Sequence, residues 1–116
     1  MESVSEAVLA TSFIAVRPRA AVEAGAAELA RRCSRSGADD ARGALAACGW
    51  ALDPVGPAPV TGWRVVGVPT ELDLAIEERA AIERARDSRC PAADRDFARG
   101  VALALEWMLG FDPIEA

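Results

Sequence analysis

The amino-acid sequence predicts an all-α fold: a small four- to five-helix bundle built on an αα-hairpin, with a Pro/Gly-rich loop that has room for one short strand. Three observations carry that expectation. Two consecutive segments, residues 18–37 and 39–52, space their apolar residues by four, three and four, the rhythm of one helix face. Alanine, the best helix former, occurs 26 times in 116 residues. Helix-starting and helix-stopping residues stand at the borders of the apolar runs. The length suits a single helical domain over residues 1–116, interrupted by an internal loop at about 53–69.

Ser3-Val4-Ser5-Glu6 is an S-x-x-E capping box, so a first helix is expected from about Val4 to Val16, stopping before Pro18. The run TSFIAV, residues 11–16, is rich in β-branched side chains and leaves helix and strand both open there. Pro18 suits the first turn of a second helix, with Val22, Ala26, Leu29 and Cys33 on one face and Gly37 as its stop. A third helix follows, started by Asp39 or Asp40, lined by Ala41, Leu45, Cys48 and Leu52, and closed by Asp53-Pro54. Matching seams and a short connection predict that these two helices pack antiparallel.

Residues 53–69 hold four of the seven prolines and three of the nine glycines, so they cannot be helical throughout. Within them TGWRVVGV could run extended, with Trp63 and Val65 on one side. Thr70-Glu71-Leu72-Asp73 is a second capping box. The helix after it, to about Arg89, is heavily charged. Leu72, Ala75, Ile76 and Ile82 make its best apolar line, which predicts a peripheral position.

The last helix opens at Cys90-Pro91, with Cys90 as its N-cap. Phe97, Val101, Ala104 and Met108 form a narrow band, which Leu105 and Leu109 widen on one flank and Gly100 and Trp107 on the other. The apolar arc exceeds half the circumference, against ~100° for an ordinary surface helix. Such a helix is central, or it is shared with a second chain.

Composition excludes much chemistry. Without histidine no Ser-His-Asp or Cys-His nucleophile can form within the chain, and without lysine no Schiff base. Three scattered cysteines lack the spacing of a zinc site, and the glycines lack that of a phosphate loop. Net charge is −5 with the arginines dispersed, which disfavours direct nucleic-acid binding. The longest uncharged run, residues 7–16, is too short to span a membrane. The odd cysteine number points to the cytoplasm, and the excess of Ala, Arg, Gly and Pro matches GC-rich bacterial coding.

The residues that remain for chemistry are carboxylates and thiols. Asp39-Asp40, Glu77-Glu78 and Asp94-Asp96 are pairs of the kind Mg²⁺ accepts, but caps and solvated faces account for them more simply. Cys90 is a candidate reactive thiol, because a helix N-terminus stabilises the thiolate and Arg89 stands beside it. No catalytic, metal or cofactor-binding residue is assigned.

The expectation is therefore a non-enzymatic cytoplasmic accessory protein, a homodimer or the partner of another protein. Its contact surface is expected to draw on Phe13, Trp63, Phe97, Val101, Trp107 and Met108. The alternatives are a small redox sensor or Mg²⁺-dependent enzyme using Cys90 or the carboxylate pairs, and an acidic chaperone or inhibitor of a basic partner.

Overall fold

A computed structural model describes residues 12–111. Its elements are β1 (Phe13–Ile14), β2 (Arg17–Pro18), α1 (Arg19–Ser36), α2 (Asp39–Leu52), α3 (Glu71–Ala85) and α4 (Ala92–Met108). The architecture is the expected helical bundle. α1 and α2 form the αα-hairpin, α4 packs on both α2 and α3, and the helix with the widest apolar arc is the central one. That answers the question its sequence raises: most of the arc is core of the same molecule. Val101, Leu105 and Met108 are wholly buried, with Ile14, Val22, Trp50 and Leu74 around them.

The expected helix over residues 4–16 is corrected where it can be seen. Residues 4–11 lie outside the described residues, and residues 13–18 form a two-stranded antiparallel hairpin, with Phe13 opposite Pro18 and Ile14 opposite Arg17. The chemistry favours this. Ile14 and Val16 are β-branched, Pro18 ends any helix before it, and Phe13 exposed beside Ile14 buried is strand alternation. The turn sets Ala15 at φ 55°, a left-handed conformation that costs a non-glycine residue ~1–2 kcal/mol. Contacts to the end of α4 hold it in place: Val16 N–H donates to the Met108 carbonyl at 3.2 Å.

The helix ends follow the expected signals, with small shifts. Gly37 adopts φ 65° and its N–H donates to the Cys33 carbonyl at 2.9 Å, closing α1. Pro18 is the N-cap of α1 rather than its first residue. Ala38 is the N-cap of α2, while Asp39 and Asp40 occupy its first turn and favour the positive end of the dipole. The Thr70 box is complete: Thr70 Oγ1 accepts from Asp73 N–H at 3.1 Å, and Asp73 Oδ2 accepts from Thr70 N–H at 2.9 Å. Pro91, not Cys90, is the N-cap of α4, and no side chain caps it.

Two other expectations change. No strand forms in TGWRVVGV among the described residues. Ala58 N–H donates to the Trp63 carbonyl and Gly62 N–H to the Ala58 carbonyl, while Gly62 and Gly67 both take φ 76°, so the segment turns back on itself. The core line of α3 is also rotated from the expected one. Leu74, Glu77 and Ala81 face inward, leaving Leu72 68% and Ile76 37% exposed. A glutamate occupies the middle of the buried stripe, which disguises it.

Candidate interaction surface

Glu77, 2% exposed, is the most buried charged residue described. Its Oε2 accepts from the N–H groups of Val60 and Thr61, the latter at 3.0 Å, and its Oε1 accepts from Thr61 Oγ1 at 2.6 Å. A buried carboxylate is tolerable when donors surround it. Here it pins the Pro/Gly-rich loop onto α3. The loop's apolar side chains stay outside: Trp63 is 63%, Val68 57% and Val66 fully exposed. Leu72, in the first turn of α3, is exposed as well, and Trp63 lines a small cavity with Trp50, Ala58 and Val65. The indole N–H of Trp50 is buried without a hydrogen-bond acceptor among the described residues.

A second region lies at the end of α4. Arg17 Nε donates to the Trp107 carbonyl at 2.6 Å, and its guanidinium lies 4.9 Å from the Trp107 ring centroid. Arg19 donates to the Leu52 carbonyl at 3.0 Å. Arg17 of the β-hairpin and Arg19 at the start of α1 thus place a cation at the negative ends of α4 and α2 respectively. Phe13, Val16 and Phe111 remain exposed nearby.

The third region is concave. α1, α2 and α4 leave a groove of ≈ 290 Å³ whose walls include Gly25, Leu29, Ala44, Cys48, Ala104 and Trp107. Leu103, 49% exposed, stands on its rim. On the far side of Leu103 a second groove of ≈ 240 Å³ runs between α3 and α4, lined by Ile82, Ala102, Arg86, Arg99 and Glu106. In this region Glu78 of α3 and Glu106 of α4 come within hydrogen-bonding reach. Burial first, and then the Glu106 carboxylate, push the Glu78 pKa up.

The six residues expected on a contact surface therefore separate. Phe13 and Trp63 are exposed, and Phe97 and Trp107 are half-buried against the core. Val101 and Met108 are corrected: both are wholly buried within one molecule and offer nothing to a partner. Leu103 was not singled out by sequence, and Leu72 was read only as part of the inward line of α3. A leucine between Arg99 and Glu106 at helical spacing was the available signal for the first.

The chemical candidates are dispersed. Asp39 pairs with Arg42 and Asp96 with Arg99, Asp40 accepts from the Ala41 amide, and Glu77 holds the loop. Among the described residues no three Cys, Asp or Glu side chains converge as a metal site would need. Cys90 is half-buried and its backbone N–H donates to the Asp87 carbonyl at 3.0 Å; the Asp87 pKa falls to about 2, chiefly through the Arg89 side chain and backbone. Burial raises the Cys48 thiol to about 11. No described helix is long and apolar enough to cross a membrane.

No family model, curated protein or solved structure matches this chain.

Proposed function

We propose that this chain is a non-enzymatic bacterial accessory protein of the cytoplasm that works by offering apolar helix surface to another protein chain, self-association being the first such contact. The observation that supports this most is the α1–α2–α4 groove, an apolar concavity with the half-exposed Leu103 on its rim. Apolar surface gathered around a concave site favours association, because water leaves both partners when it is covered. Asp73 is engaged in a cap, Asp39, Asp87 and Asp96 in ion pairs and Glu77 in the loop anchor, which favours binding over catalysis at those carboxylates. Three free cysteines are consistent with a reducing compartment.

Sedimentation velocity from low micromolar to near-millimolar protein tests the reading, paired with capture of partners from the native host. A dimer or larger species is expected. A monomer at every concentration that retains no partner would overturn it.

A further inference from the structure

The groove of ≈ 240 Å³ between α3 and α4 is marked by charge along its length. At one end Glu106 of α4 walls it, with Glu78 of α3 beside that carboxylate. Arg86, about two turns after Glu78, and Arg99, about two turns before Glu106, wall it toward the other end. Ile82, Ala102 and the half-exposed Leu103 lie between. The helical rise sets the acidic and basic ends ~12 Å apart.

Neither end is satisfied within the molecule. Glu78 and Glu106 are like charges within hydrogen-bonding reach, and burial further penalises the ionised Glu78. Arg86 enters no ion pair among the described residues, and Arg99 has only the exposed Asp96, three residues before it. Arg79 and Glu83 on α3 pair with each other and do not line the groove.

An occupant must therefore bring a cation to one end, an anion to the other at matching separation, and apolar surface to the middle. A second copy of the same groove carries all three at the required spacing. A two-fold axis through its midpoint, perpendicular to the helices, lays the acidic end of each copy on the basic end of the other. The two Leu103 side chains then meet near the axis. The α1–α2–α4 groove gives no such instruction: Glu28 is its one charged wall among the described residues, and Arg31 already holds that carboxylate.

We propose that the occupant of the α3–α4 groove is a second copy of this chain, laid antiparallel so that Arg86 and Arg99 face the partner subunit's Glu78 and the partner subunit's Glu106. This rests on the self-association reading above and names its surface.

Charge reversal on two separate chains provides the test, by sedimentation equilibrium of the full-length protein with circular dichroism to verify folding. Arg86→Glu/Arg99→Glu makes the groove acidic throughout, and Glu78→Gln/Glu106→Arg makes it basic. Each variant alone is expected to dimerise at least ~10-fold more weakly than wild type, because like charges then meet at both ends. Mixed, the two should form a one-to-one heterodimer at least as tight as the wild-type homodimer. A structural role within one chain predicts no recovery on mixing. Leu103→Ser in either partner should weaken the heterodimer; indifference to it would mean charge attraction without this geometry and overturn the proposal. If the wild type dimerises and both variants do so equally well, the geometry falls while self-association stands. If the wild type is a monomer at every concentration, both fall.

Discussion

Gly43 of α2 and Gly100 of α4 stand reciprocally where the two helices cross. A side-chain carbon on Gly43 would strike the Phe97 carbonyl, and one on Gly100 would strike the Asp40 carbonyl. Each glycine thus admits the backbone three residues before the other. The central pair of helices meets main chain to main chain. A mid-helix glycine costs ~1 kcal/mol against alanine, and the crossing offsets it by packing.

That relationship gives opposite signs for one substitution at different sites. Gly43→Ala or Gly100→Ala should destabilise the fold by about 1–3 kcal/mol, since two backbones must separate to admit a methyl group. Gly49→Ala, in the same helix as Gly43 but with nothing near its added carbon, should stabilise by about 0.5–1 kcal/mol. Urea denaturation of the three variants measures both.

Glu77 should be the most sensitive of the charged residues. Glu77→Ala strands two backbone amides and a hydroxyl under the loop, and a loss of about 2–4 kcal/mol is expected. Thr61→Val leaves the two backbone amides on Glu77 but removes the hydroxyl's bond to Glu77 and the acceptor of the Trp63 N–H, and should cost about 1–2 kcal/mol. Limited proteolysis should cut Glu77→Ala faster within residues 55–68.

Glu78 should give stability an inverse dependence on pH. Its folded pKa lies above the unfolded one, so the folded state holds its proton more tightly. The resulting penalty is absent below the unfolded value and complete above the folded one, and stability falls as pH rises through that window. Glu78→Gln should then be more stable than wild type at pH 7, by on the order of 0.5 kcal/mol at this partly exposed site. The two should converge when the pH drops below 4.5, the ordinary value for this group. Thermal melts across that range would show whether they do.

The three thiols should separate by rate. Cys48 is buried and its thiol is raised to about 11, so at pH 8 it should resist alkylation until the chain unfolds. Cys33 and Cys90 are partly exposed and should react in the native state. Mass spectrometry of a timed iodoacetamide reaction would count them.

How far the sequence was legible follows from how local each cause is. The Thr70 box, the Gly37 stop and the seams of the hairpin depend on residues within one or two turns of each other, and they read correctly. Loop residues 58–63 did not, because their path is set by a carboxylate at least sixteen residues away. Nor did the inward face of α3: Glu77 passes for a solvated charge until the loop's donors are seen around it. Met108 and Val101 looked available to a partner because a wide apolar arc has the same pattern whether the second helix comes from this chain or another.

By itself, then, the sequence determined the helical class, the hairpin, most helix ends and the chemistries a chain without histidine or lysine lacks. Tertiary structure alone decided which apolar residues are spent inside the molecule. It buried Met108, left Leu103 on the rim of a groove and turned residues 13–18 into a clasp on α4. Periodicity records that a face is apolar, but only packing in three dimensions says what covers it.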